Sequence, residues 1–307
     1  SSPKLSQAPQ PLVTAPSSSY LPRLVIVGAG RVGSTLALAA HRAGYPVVAV
    51  YNRTPARAQA LAQVVGAACC ADLDEAIAVG DLVFLAVSDD AIAAVDAAGA
   101  GSWRRGMGVV HHSGLHGSGL LRHAAAAGAL TGTLHPLQTL ADPQTAVDLL
   151  PGAYFGLSGH PDLLPLLRDF VLAVGGQPLI IPDAAKPLYH AAAVFASNYV
   201  VACFATAVDL LADLGIGRDD AARALLPLIR GAVDNLERRG LPAALTGPIA
   251  RGDLGTLQAH QQQLSARRPD LLRLYRCLGR ATVPVAAAQG HLPAARLAEL
   301  AAFFADS

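Results

Sequence analysis

Two stretches of this sequence carry residues whose types and spacing could do chemistry. One is a glycine-rich turn, Gly28-Ala29-Gly30-Arg31-Val32-Gly33, and the other is the apolar run PLYHAAAVFASNYVVACF from Pro187 to Phe204, interrupted by His190, Ser197 and Asn198. In a GxGxxG turn the first glycine permits a tight bend and the second lets the backbone approach a pyrophosphate. The third allows close helix packing, and the helix N-terminus faces the anion. This chemistry needs a strand before the turn and a helix after it. Leu24 to Val27 (LVIV) supplies the strand and Ser34 to Ala43 the helix. The next strand, Pro46 to Tyr51, ends in Asn52-Arg53-Thr54, with Arg57 one turn further. An NAD site would usually place an acid there, whereas Arg53 can fork onto a 2′-phosphate and Thr54 can donate a hydroxyl. The expected cofactor is NADP(H).

At 100° per residue, Lys186, His190, Ser197 and Val201 fall on one helical face, with Asn198 on the adjoining edge. Hydride transfer to a carbonyl or imine leaves a negative oxygen or a basic nitrogen that must take a proton. His190 can supply it while Asn198 holds the oxygen, or either residue can be a satisfied polar group of a core. Further candidates sit where strands end, because ligands of doubly wound sheets bind beyond the carboxyl ends. These are Val87 and Ser88, Ser113-Gly114, and His135. Asp89, beside Ser88, reads equally well as a helix cap. In the polar stretch Leu245 to Asp253, Arg251 could clamp a substrate carboxylate, and Asp253 is either a substrate contact or the N-cap of the next helix. His111, His112, His116 and His123 cluster in sequence, but adjacent strand residues point to opposite faces and no nearby acid or thiol completes a ligand set. No metal site is expected.

Strands alternate with helices through Ala67–Cys70, Asp81–Val87, Gly108–His112, Thr131–Leu134 and Pro178–Ile181, the rhythm of a doubly wound parallel sheet. After Pro182 that pattern stops. Lys186–Leu214, Arg218–Arg239, Leu254–Ala266, Pro269–Gln289 and Leu292–Ala305 read as five helices. The expected organisation is a flexible tail over 1–22, a dinucleotide-binding domain over 23–183 and a helical substrate and dimerisation domain over 184–307. The tail is rich in Ser, Pro and Gln and lacks the apolar core of a signal peptide. A net charge of +1 without a basic stripe gives no footprint for nucleic acid. The most apolar window, Ala191 to Leu211, carries Ser197, Asn198, Thr206 and Asp209, which argues against a membrane span. Four cysteines, two of them adjacent, fit neither a disulfide framework nor a CxxC metal site and point to a reducing, cytoplasmic setting.

The motifs VIVGAGRVG, DLVFLAVSDDAI, HHSG, GTLHPLQT, LYHAAAVFASNY and TGPIARGD together resemble the two-domain Rossmann-like proteins that carry the C-terminal domain of unknown function 2520. The resemblance covers essentially the whole chain beyond the tail. It implies an NADP-dependent oxidoreductase related to pyrroline-carboxylate reductase, the beta-hydroxyacid dehydrogenases and ketopantoate reductase. The substrate it suggests first is a small ketoacid, 2-dehydropantoate; a cyclic imine, or NADP binding without chemistry, are the alternatives. By position, Gly28, Gly30 and Gly33 match the pyrophosphate turn, Asn52-Arg53-Thr54 the NADP-type strand end and Ser113-Gly114 a substrate turn. The relatives use a lysine on the first helix of the second domain; here His190 takes that place, with Asn198 two turns later and Lys186 one turn earlier. The resemblance also implies a homodimer formed through the long helices.

Overall fold

The structure is a computed structural model that describes residues 21–305. Apart from Leu21 and Pro22, the tail expected over 1–22 lies outside the described residues. The chain divides into two compact units, 1–200 and 201–307. The division falls after the first long helix begins rather than at residue 183, because that helix packs on the sheet through its first turns.

The first unit runs β1 (Leu24–Val27), α1 (Arg31–Arg42), β2 (Val47–Tyr51), α2 (Pro55–Val65), β3 (Ala68–Cys69), α3 (Leu73–Ala78), β4 (Leu82–Leu85) and α4 (Asp89–Ala98). It continues with β5 (Gly108–His111), α5 (Arg122–Ala126), β6 (Leu130–Pro136), α6 (Pro143–Ala146), β7 (Tyr154–Gly159), α7 (Leu164–Ala173), β8 (Gln177–Ile180) and α8 (Lys186–Ala196). The strands form one sheet in the order β3-β2-β1-β4-β5-β6-β7-β8. All pairs are parallel except β6 with β7, which run antiparallel. This is the expected doubly wound sheet with one reversal added.

Both faces are covered, which explains why the central strands read as continuous apolar runs. Leu24 and Ile26 of β1, with Leu82 and Phe84 of β4, enter one core with α1, α2 and α7. Val25, Val27, Val83 and Leu85 enter the other. On the first face Phe84 meets Phe170 edge-on, with ring centroids 5.1 Å apart. Burial of this kind is worth about 25 cal/mol per Å² of apolar surface, and it holds the strands that lead to the glycine turn from both faces.

α9 (Asn198–Ala212) follows α8 and crosses into the second unit. The sequence suggested one helix over Lys186–Leu214, but the backbone breaks at Ser197, with φ −129° and ψ −71°. Ser197 Oγ lies 2.7 Å from the Ala193 carbonyl oxygen, four residues back, a bond that competes with the helical ladder. The second unit adds α10 (Arg218–Arg239), α11 (Pro248–Arg251), α12 (Leu254–Arg267), α13 (Leu272–Ala288) and α14 (Ala294–Phe303). Its small core gathers Leu257, Val283, Leu300 and Phe304.

Candidate active site

The glycine turn leaves β1 and opens α1 as expected. Gly28 has φ 106°, and a Cβ there would strike the Ala86 carbonyl; a Cβ on Gly33 would strike the Gly28 carbonyl. A Cβ on Gly30 would meet nothing within 4 Å. Two of the three glycines are therefore required by the protein's own backbone, and Gly30 faces open space at the N-terminus of α1. That arrangement fits a dinucleotide pyrophosphate, which needs close backbone approach at this point.

Arg31, Arg53, Thr54 and Arg57 are exposed beside this turn, Ala29 and Val32 are half-buried, and beyond the end of β4 Val87 lies next to Gly28 while Ser88 takes the N-cap position of α4. Asn52 has a different task from the one expected of it. Its Oδ1 accepts the Ala29 N–H at 3.0 Å and its Nδ2 donates to the Thr54 carbonyl at 3.0 Å. With both ends of the amide engaged, Asn52 ties β2 to the glycine turn, leaving Arg53, Thr54 and Arg57 as the groups open to a 2′-phosphate.

The second cluster forms where β5 and β6 end beneath α8. Gly114 is buried, and a Cβ there would lie 2.7 Å from His190 Cδ2 and 2.9 Å from His135 Nε2. The two imidazoles meet edge-on, with centroids 6.3 Å apart. His135 Nδ1 lies 2.9 Å from Tyr189 Oη. Ser113 is not a free hydroxyl: it donates to Asp89 Oδ2 at 2.8 Å and accepts the N–H groups of Leu115 (3.1 Å) and His116 (3.0 Å). It shapes the turn that carries Gly114. Asp89, a candidate helix cap, spends its carboxylate on that hydroxyl, and Ser88 at the N-cap position of α4 makes no side-chain cap bond.

A cavity of about 730 Å³ opens beside the histidines, lined among others by His135, Tyr189, His190, Ser197, Asn198 and Leu179. His190, Ser197 and Asn198 line this cavity together. Lys186 and Val201 do not join them. Lys186 is 1% exposed and its Nζ donates to Thr133 Oγ1 at 3.0 Å, away from the cavity, while Val201, beyond the break at Ser197, is 68% exposed. Thr133 Oγ1 in turn lies 2.7 Å from Ser158 Oγ. Asp183 accepts Ser118 N–H at 3.0 Å and Ser118 Oγ–H at 2.8 Å.

Burial governs the protonation of this cluster. It lowers Lys186 from 10.5 to about 8, against the opposing pull of Asp183 and Asp89. It lowers His135 from 6.5 to about 4, assisted by the charges of Lys186 and His190, with Asp89 opposing. His112 falls to about 3 for the same first reason, and its Nδ1 sits 2.6 Å from the Leu134 carbonyl. Burial raises Tyr189 to about 12. Burial also works to raise Asp183, but hydrogen bonds from Ser158 and Ser118 and the nearby Lys186 charge outweigh it and leave that carboxyl below its usual range.

Arg251 and Asp253 lie in the second unit. Asp253 caps α12 by accepting Thr256 N–H at 3.1 Å and Thr256 Oγ1–H at 2.7 Å, and Arg251 Nη2 is 4.0 Å from its carboxylate. Among the described residues no group of histidine, cysteine and acid side chains could hold a metal ion. Sequence reasoning missed Tyr189, Thr133, Ser158 and Asp183, whose partners come from distant segments. One signal was present: the sequence has two lysines, Lys4 and Lys186, against 21 arginines, so the one lysine among the described residues is the buried one.

A parallel sheet with a glycine turn at its switch point defines a dinucleotide-binding protein. Residues 16–136 match the sequence model of a Rossmann-like domain and residues 153–282 that of a domain of unknown function, DUF2520. The chain joins these two domains. A crystal structure from Bacteroides fragilis, of a protein assigned as an NADP oxidoreductase, superposes with TM-score 0.70 at 26% identity, covering 85% of this chain and 98% of its own. Protein TM1727 from Thermotoga maritima gives 0.71 at 24%, covering 87% and 100%. A pyrroline-5-carboxylate reductase from Coxiella burnetii gives 0.58 at 14%, covering 94% and 100%. The last two likenesses speak for the fold alone. No protein of curated function matches the sequence.

Proposed function

We propose that this protein is an NADPH-dependent oxidoreductase that reduces a polarised C=O or C=N bond placed in the cavity lined by His135 and His190. The observation that carries the reading is the pairing of an open glycine turn at Gly30 with a second glycine, Gly114, held under His135 and His190 at the carboxyl ends of the same sheet. The likeness to the Bacteroides NADP oxidoreductase supports it. Gly28, Gly30 and Gly33 would hold the pyrophosphate at the start of α1, and Arg53, Thr54 and Arg57 the 2′-phosphate. When bound, NADPH supplies a hydride, a proton with two electrons, and leaves as NADP+. His190 gives the proton that the resulting alkoxide or amide nitrogen needs, and Asn198, at the lip of the cavity, orients the substrate.

The ketoacid first suggested, 2-dehydropantoate, would need a cation for its carboxylate. Among the described residues no lysine or arginine lines the cavity, and its apolar wall includes Leu137, Leu179 and Ala193, which favours a neutral cyclic imine or ketone as the second reading. Purified protein incubated with NADPH and either 2-dehydropantoate or 1-pyrroline, followed by loss of nicotinamide absorbance, separates the two. NADPH binding without turnover of any carbonyl or imine would leave a sensor and defeat the reductase reading.

The stretch 183–212 is long and apolar enough to cross a membrane by length and composition alone. It is broken at Ser197, and its first turns are fixed to the sheet by Lys186 and Tyr189. Leu188 is 78% exposed and Phe195 69% exposed. We assign that apolar surface to a second copy of the chain, giving a homodimer; a monomer by sedimentation at micromolar concentration would refute it.

A further inference from the structure

We propose that His135 is a hydrogen-bond donor of the site that stays neutral throughout the reaction: its Nε2–H holds the substrate's oxygen or nitrogen in the cavity that His135 and His190 line, and Tyr189 fixes the tautomer that makes this possible. The proposal rests on the reductase reading and adds to it a division of labour, in which His190 gives up a proton and His135 does not.

The tautomer follows from counting protons. A phenol has one to donate. The Tyr189 ring packs on β7. Gly156 is pressed against the ring, since a Cβ there would lie 2.8 Å from Oη. The phenolic proton then has two acceptors in reach, His135 Nδ1 at 2.9 Å and the His135 carbonyl at 3.5 Å. The shorter one is a normal hydrogen bond and the longer lies at the limit, so the proton goes to Nδ1. A neutral imidazole accepting at Nδ1 carries its hydrogen on Nε2. That nitrogen lies close to Gly114, too close to admit a side chain there, on a ring that lines the cavity.

The charges around His135 keep it uncharged. Lys186 and His190 of α8 oppose its protonation, and Asp89 of α4 favours it, while burial decides the balance. The buried Lys186 ammonium thus has a use although its own amine does not reach the cavity. A neutral donor can polarise a C=O or C=N bond without competing to transfer its proton, and a second imidazolium 6.3 Å from His190 would repel the group that must be protonated.

The test uses the full chain with 15N-labelled histidine rings. The resonances of His135 are identified among the ten histidines by their loss in His135→Gln. The expected spectrum is the neutral Nε2–H form, unchanged from pH 8 to pH 5, with Tyr189→Phe releasing it into a mixture of tautomers. An Nδ1–H form in the wild-type protein, or titration of His135 near 6.5, would overturn the proposal. In the kinetic arm, with whichever of 2-dehydropantoate and 1-pyrroline is reduced, His135→Leu should lower kcat/KM roughly a hundredfold while NADPH affinity holds. His135→Gln, which keeps an N–H donor, should recover part of that loss. Wild-type turnover in His135→Leu would sink the donor role and leave the reductase standing. Failure of the wild type to bind NADPH would sink the reductase reading and the use of His135 with it. If NADPH binds and neither probe is reduced, the NMR arm decides.

Discussion

Replacing Lys186 by methionine should make the protein more stable. The ammonium is 1% exposed and its pKa falls from 10.5 to about 8, which at 1.4 kcal/mol per pH unit means that keeping it charged costs the folded state about 3 kcal/mol. Methionine fills nearly the same space without that cost. Little is orphaned by the change. Thr133 keeps Ser158 at 2.7 Å, and Asp183 keeps both Ser118 bonds. Losing the amine's own hydrogen bond to Thr133 takes back about 1 kcal/mol, which leaves a net gain of about 2 kcal/mol at pH 7.

The pH dependence gives the sign. Below pH 8 the lysine is protonated in both folded and unfolded chains, and the cost is present in full. Between pH 8 and 10.5 the folded state gives up its proton first, so the unfolded state binds more protons and wild-type stability gains with rising pH relative to the variant. The advantage of Lys186→Met should therefore shrink across this window and reach its minimum near pH 10.5. Trp103, the only tryptophan and 6% exposed in the first unit, reports the unfolding of that unit by fluorescence in urea. Taking the difference between the two proteins removes other groups that titrate in the same range. A variant less stable than wild type at pH 7, or a difference that stays constant from pH 8 to 10.5, would refute the claim of a buried, costly cation.

Gly30→Ala should fold with stability within about 0.5 kcal/mol of wild type, because a Cβ there meets nothing, yet lose roughly tenfold or more in NADPH affinity by titration. Gly33→Ala forces a Cβ into the Gly28 carbonyl and should cost about 2 kcal/mol or more in urea unfolding. Arg53→Ala should weaken NADPH by roughly tenfold to a hundredfold and NADH hardly at all, the size of one charge-assisted contact; equal losses for both would exclude a 2′-phosphate contact. His190→Ala should lower turnover roughly a hundredfold or more with NADPH affinity unchanged, measured under saturating cofactor.

The cofactor half was legible because its signals are local. A continuous apolar strand, a glycine at each place where backbone must pass close, and an arginine after β2 lie within thirty residues of one another, and each acts through its immediate neighbours. His190 lies in α8, but Ser197 breaks that helix and Asn198 opens the next, so the cavity they line together owes more to the break than to helical periodicity. Other features depend on segments far apart in the chain. β7 reverses direction to pair with β6, and its run YFGLSG carries no mark of that pairing. Tyr189 meets His135 across 54 residues, and Lys186 meets Thr133 across 53. Composition and periodicity describe what a residue prefers, whereas a buried lysine, a fixed tautomer and an engaged serine exist only once distant strands have brought their partners within hydrogen-bond reach and excluded water from them.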